Sequence, residues 1–248
     1  MRLFWHELGA QQRVFWRSRE AALFIFLFPL LLFVLLGSVY NGTIDGVPAP
    51  EALLAGLIGY GCANTAFAGL AIQLVGRREL GILKRLRATP LPASTYVAAV
   101  LASTLVVFTI QTVALFVLGR IAYGTPLPHA IGSLVLAVVI GSIVFAALGV
   151  AAASLIRSAE GSSAVVNFIL LPMAFLTGSF GPTRHYPRVL RAIGDVLPLK
   201  YFLDVMNAVY LRGHAIWTKP AALGVLAAWG ATGLVVSALK FRWEPREQ

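Results

Sequence analysis

The chain has 248 residues, of which 58% are hydrophobic and 12% charged, and its mean hydropathy is +0.82. Those values exclude a soluble domain of ordinary composition and describe a polytopic helical membrane protein. The formal net charge of +10 is a topology signal with some attraction to anionic lipid headgroups; it does not point to nucleic-acid binding.

Residues 1–20 place Phe4, Leu8 and Phe15 at roughly helical spacing beside Trp5, Trp16 and several arginines, which suits an amphipathic helix lying in the headgroup layer. The apolar run that follows, Leu23 to Leu36, is longer than the core of a signal peptide. The Gly37-Ser38-Val39-Tyr40 after it lacks small residues at both cleavage positions, so the run reads as a span and not a cleaved leader. Six apolar stretches, at about 21–41, 52–76, 95–119, 130–156, 164–181 and 221–240, are each long enough to cross a bilayer and hold no Asp, Glu, Lys or Arg before the closing Lys240. Their length and lack of strand-like alternation predict an all-α, multi-pass fold in a single transmembrane domain over 1–248. The lone Cys62 sits mid-span, so no intrachain disulfide forms.

Six spans put both termini on one side. Thirteen cations fall on that side: Arg2, Arg13, Arg17 and Arg19, then Arg77, Arg78, Lys84, Arg85 and Arg87, then Arg157, and finally Lys240, Arg242 and Arg246. Seven fall on the other, Arg120 and six between 182 and 219, so the bias predicts cytoplasmic termini. Ion-driven carriers need ionisable groups within the membrane, and these spans have none. Energy for uphill transport has to arrive from another subunit.

The loop after the second span is the most informative polar stretch. Leu80, Leu83 and Leu86 recur every three residues beside Lys84, Arg85 and Arg87, which predicts a short helix with an apolar and a basic edge, ending before Pro90 and Pro92. On physical grounds alone an ordinary positive-inside loop reads equally well. An acidic residue and a glycine, then leucine, a basic residue, leucine, and a closing Thr89-Pro90-Leu91 resemble the first cytoplasmic loop of type-2 ATP-binding-cassette exporter permeases, the membrane subunits of drug and polysaccharide export. The order of features along the rest of the chain resembles that family too.

The resemblance implies that 77–92 is a coupling helix docked on a separate ATPase, with Glu79, Gly81, Leu83, Arg85, Leu86, Thr89 and Pro90 as its contacts. It implies a homodimer with two ATPase copies, in a bacterial cytoplasmic (inner) membrane. ATP and Mg would be bound by the partner, since this chain has no G-x-x-x-x-G-K-[ST] loop and no cofactor of its own is expected. The cargo it implies is a hydrophobic or amphipathic small molecule such as a drug or antibiotic, with lipid-linked glycan as the alternative.

Between 182 and 219, Pro187 can start a helix carrying Val189, Ile193 and Val196, and Pro198 another carrying Phe202, Met206 and Val209 as far as Gly213. Both are too short to span. The resemblance makes them re-entrant external helices, with Phe180, Pro198, Tyr201 and Asp204 as an external gate; an ordinary folded-over loop is the other reading. His185, Asp195, Asp204 and His214 share this segment, and a membrane enzyme with a site on that face is a competing functional class, beside an energy-independent channel or scaffold. No nucleophile turn or metal-ligand spacing supports the enzyme.

Within the spans, Asn64, Gln73, Gln111 and Asn167 must face other helices or a wet route, because an unpartnered amide in lipid is costly. Helical spacing places Leu57, Tyr60, Asn64, Phe67 and Ala71 on one face of span two, and Asn167, Leu170 or Leu171, and Ala174 on one face of span five. Asn64, Phe67, Asn167, Phe168 and Leu171 are the candidate substrate contacts, against the plainer role of helix glue. Gly61-Thr65-Gly69 and Gly224-Ala228-Thr232 supply small residues for close helix packing.

Overall fold

The computed structural model describes residues 1–40, 42–241, 243 and 244. Arg242 and Arg246, counted above among the tail cations, lie outside the described residues.

Helix α1 (Arg2–Arg17) ends at Ser18, whose non-helical ψ of 79° lets the chain turn before α2 (Arg19–Val39), the first span. The Gln12 amide fastens α1 to the third span, donating to the Ser103 hydroxyl at 2.9 Å and carbonyl at 3.0 Å. Trp5 and Trp16 stay exposed, the placement that a headgroup-layer helix needs.

Six helices among the described residues are long and apolar enough to cross a membrane. Span two is α3 (Ala49–Cys62), a π-helical stretch over Ala63–Gly69, and α4 (Leu70–Glu79). A short helix α5 (Ile82–Arg87) follows; spans three and four are α6 (Ala93–Tyr123) and α7 (Ile131–Leu155). Spans five and six are α8 (Ala159–Thr177) and α11 (Pro220–Lys240). Span two is the centre of the bundle: 94% of its apolar window is buried, against 17% for span one and 22% for span six. Its Leu53, Leu54, Leu57 and Ile58 meet Phe33, Phe108, Phe145 and Leu170 in one apolar core.

Span five starts earlier than the expected 164 and stops before 181. The Ser158 hydroxyl caps it by accepting from the Gly161 amide, and Glu160 in its first turn suits the positive end of a helix. A charge that argues against a membrane interior is at home at a helix start. Gly178, at φ +90°, ends the helix.

The bundle end opposite the termini is capped by short elements. Asp45 and Gly46, both at positive φ, turn a two-stranded antiparallel hairpin, β1 (Thr43–Ile44) and β2 (Val47–Pro48). Helices α9 (Arg188–Gly194) and α10 (Pro198–Met206) start after Pro187 and at Pro198, as expected. Phe202, Met206 and Val209 are fully buried, with α10 packed against spans two, four, five and six. Val189, Ile193 and Val196 of the α9 region are exposed instead. Beyond α10 a π turn (Asn207–Leu211) buries Tyr210, which donates to the Pro126 carbonyl at 3.2 Å. Burial pushes the Tyr210 phenol up to about 12, so that donor is retained at physiological pH.

Close packing of span six differs from expectation. Gly224 has nothing within 4 Å of where a Cβ would stand, and Ala228 and Thr232 are exposed. Gly230 and Gly233, on the opposite side of the helix, are the residues that approach span four at Val144 and Ala147.

Candidate transport cavity and coupling loop

Span two changes winding where its polar residues lie. In the π stretch Ala63–Gly69 the backbone bonds reach i→i+5, which rotates the residues after it relative to those before. Gly149 of span four crosses here so closely that a Cβ would stand 2.7 Å from the Phe67 carbonyl oxygen. Any other residue would push span four off the π stretch.

Two neighbouring polar residues in that stretch have opposite fates. The Thr65 hydroxyl donates to Gln111 Oε1 at 2.9 Å, and Gln111 Nε2 donates to the Ile25 carbonyl at 3.0 Å, tying spans one, two and three. Gln111 is helix glue. Asn64, 6% exposed, has no hydrogen-bond partner for its Nδ2 among the described residues. Asn64 lines an open-sided cavity of about 720 Å³ bordered by α1 and spans one, two, three and five. Gln73, Ser163 and Asn167 also line it, among apolar walls that include Phe24 and Ile72.

The cavity brings together two of the five candidate substrate contacts, Asn64 and Asn167. Phe67 is buried but outside it, turned away by the π winding, which puts Asn64, Ala68, Ile72 and Gly76 along the wall in place of the expected Asn64, Phe67 and Ala71. On span five the expected shared face divides: Leu170 and Ala174 are fully buried, while Phe168 is 80% and Leu171 39% exposed on the outside of the bundle. Asn167 donates to the Ser163 hydroxyl at 3.4 Å.

The loop after span two departs from a single amphipathic helix. The helix α4 ends at Glu79, and Gly81 at φ +66° forces a turn that only glycine adopts readily, so α5 begins at Ile82. Leu80 sits in that turn, 70% exposed, instead of joining Leu83 and Leu86 on an apolar edge. Leu83 is fully buried and Leu86 half-buried beneath the loop. Lys84, Arg85, Arg87, Thr89 and Pro90 are exposed. Arg85 folds back to donate to the Leu80 carbonyl at 3.2 Å, and the Thr89 hydroxyl donates to the Leu86 carbonyl at 2.6 Å, holding the loop's shape. The Glu79 carboxylate accepts from the Ala159 amide at the start of span five.

At the other end, Phe180 is buried between Tyr60 and Phe175, with ring centroids 5.0 and 4.9 Å away. Pro198 is buried at the start of α10, Tyr201 donates to the Asp195 carbonyl at 2.6 Å, and Asp204 pairs with Lys200 at 3.3 Å. His185 Nε2 accepts from Arg184 at 3.1 Å. Among the described residues no three His, Cys, Asp or Glu side chains gather in a metal-ligating group.

The π winding, the unpaired Asn64 amide and the exposed basic loop escape periodicity analysis in different degrees. The first signal available for the turn was Gly81 itself. For Asn64, sequence marks only the need for a partner.

A six-span helical bundle with an apolar-walled cavity and a basic loop at the end shared by the termini defines a multi-pass membrane protein of the permease type. The family model for the ABC-2 type transporter matches residues 2–211, and the chain belongs to that family. It is similar to the inner membrane transport permease YhhJ of Escherichia coli K12, 26% identical over 182 residues that cover 70% of this chain and 48% of the relative. The putative transport permease YvfS of Bacillus subtilis 168 is 24% identical over 203 residues, covering 81% and 82% of the two chains. The probable multidrug ABC transporter permease YbhR of Escherichia coli K12 is 22% identical over 161 residues, covering 64% and 44%. The chain thus spans about half the length of the YhhJ and YbhR relatives.

Proposed function

We propose that this chain is the membrane-spanning permease subunit of an ATP-driven exporter, moving a hydrophobic or amphipathic molecule out of the cytoplasm by alternating access. The single observation that carries the reading, beyond family membership, is the cavity of about 720 Å³, mostly apolar and holding one buried, unpaired amide at Asn64. Such a space takes a greasy molecule with at least one hydrogen-bond acceptor, its charged lining being confined to Glu20 and Arg77 near the ends of spans one and two. A drug- or antibiotic-like compound fits that description.

On this reading the loop end faces the cytoplasm of a bacterial inner membrane, which the positive bias supports. There the exposed Leu80, Lys84, Arg85, Arg87, Thr89 and Pro90 meet a separate ATPase, which binds the ATP and Mg. Leu83 and Leu86 shape the loop from beneath. Two permease copies, each with its ATPase, complete the route; the exposed Phe168 and Leu171 of span five lie beside the cavity-lining Asn167 and face across the pair. At the far end, Phe180, Pro198, Tyr201 and Asp204 form the gate.

The test is co-purification. Tagged protein should bring down an ATP-binding subunit at stoichiometric yield, and Arg85→Glu should reduce that yield at least tenfold without loss of the folded permease. A permease recovered alone, with function destroyed only by changing His185, Asp195, Asp204 and His214, would establish the membrane-enzyme reading instead.

A further inference from the structure

Three consecutive residues at the end of span two each reach a different helix. Arg77 donates to the Tyr96 hydroxyl at 2.9 Å, in the first turn of span three. Arg78, 2% exposed, donates to the Ala153 carbonyl at 2.8 Å and the Ile156 carbonyl at 2.5 Å, at the end of span four. Glu79 accepts from the Ala159 amide, at the first residue of span five. The charges of Arg78 and Glu79 match the helix ends they meet. Carbonyls at a helix C-terminus attract the guanidinium, and free amides at an N-terminus attract the carboxylate.

Spans four and five are joined only by residues 156–158, so Arg78 and Glu79 hold that short link from its two sides. The turn at Leu80 and Gly81, and then α5, follow directly on Glu79. Span five carries Ser163 and Asn167 to the cavity wall one and two turns beyond its start. A charge-assisted hydrogen bond is short, directional and stronger than a neutral one. The bond from Glu79 to Ala159 is therefore a direct mechanical tie between the exposed loop and the cavity wall, bypassing the whole of spans three and four.

Resting on the export reading above, we propose that Glu79 is a positioning residue that transmits displacement of the loop to span five, and not a contact for the ATPase. Its carboxylate faces the start of α8, whereas the motor face is made by Arg85 and its exposed neighbours. Arg78 fixes the end of span four as the fulcrum, and Glu79 draws the start of span five with the loop.

The experiment uses the full-length permease with its ATPase in proteoliposomes, spin-labelled at Ala88→Cys and Glu160→Cys, both exposed positions, with the buried Cys62 left in place. With Glu79 intact, one narrow distance is expected, unchanged by ATP because loop and helix start move together. Glu79→Ala should broaden it and let ATP change it, and should cut cargo moved per ATP hydrolysed at least tenfold while ATPase capture stays normal. Glu79→Gln keeps a neutral acceptor and should fall between the two, which also covers poor folding of the alanine variant. A distance distribution unaffected by both substitutions overturns the proposal, as does loss of ATPase capture in either. Failure of the unsubstituted permease to capture any ATPase refutes the export reading itself, and the nucleotide-free distances separate that outcome from failure of the tie.

Discussion

Asn64 and Gln111 are both amides buried in the middle of a membrane bundle, and they do different work. Gln111 uses its oxygen on Thr65 and its nitrogen on the Ile25 carbonyl, so Gln111→Leu strands the Thr65 hydroxyl and frees span one. A loss of about 1–3 kcal/mol is expected, measured as a lowered unfolding midpoint of the purified protein. Asn64→Leu removes an amide nitrogen that has no partner to lose. Stability should hold or rise, while binding of an acceptor-bearing cargo falls at least tenfold, read by titrating a labelled compound. The sequence exposes both residues as polar anomalies in apolar runs, yet it cannot separate them. What distinguishes them is the distance to a partner on another helix, a tertiary quantity. Leu80 illustrates the converse: a three-residue repeat predicted an apolar edge, and the left-handed Gly81 broke the helix between its first two members.

Hydrophobic runs reveal spans because a bilayer demands a certain length, and the helices lie where those runs are. Their ends are less legible, since caps such as Ser158 and the tolerated Glu160 depend on local hydrogen bonds that hydropathy ignores. The Asp45-Gly46 turn between Ile44 and Val47 carries a hairpin signature in two residues, short enough to be overlooked beside the long spans. The π stretch in span two has no such signature, because neither its small apolar residues nor Asn64 and Thr65 prescribe one winding over the other. Its marker is the crossing of Gly149 over the Phe67 carbonyl. Gly149→Ala should lose about 1–3 kcal/mol through overpacking, whereas Gly224→Ala, with open space around it, should be neutral or slightly stabilising. Comparing thermal unfolding of the two variants checks the assignment. Equal midpoints would place the contact elsewhere.

At the scale of the whole molecule, the charged groups of the six spans gather at the bundle ends, with no Asp, Glu, Lys, Arg or His at mid-span, and α1 and four of the spans line a mostly apolar cavity. Multi-pass architecture and family were both legible in that pattern. The cavity was not, because its walls come from α1 and four spans whose relative rotation no periodicity records. That pattern carries the energetic consequence: no mid-span Asp, Glu, Lys, Arg or His is there to bind and release a proton to drive transport. Uptake of an amphipathic dye into inside-out vesicles holding the permease and its ATPase, with a protonophore present, measures this directly. Uptake should require ATP, survive the protonophore undiminished and vanish with an ATPase unable to hydrolyse nucleotide. Uptake that collapses with the proton gradient, or proceeds without hydrolysis, would contradict a motor outside the membrane.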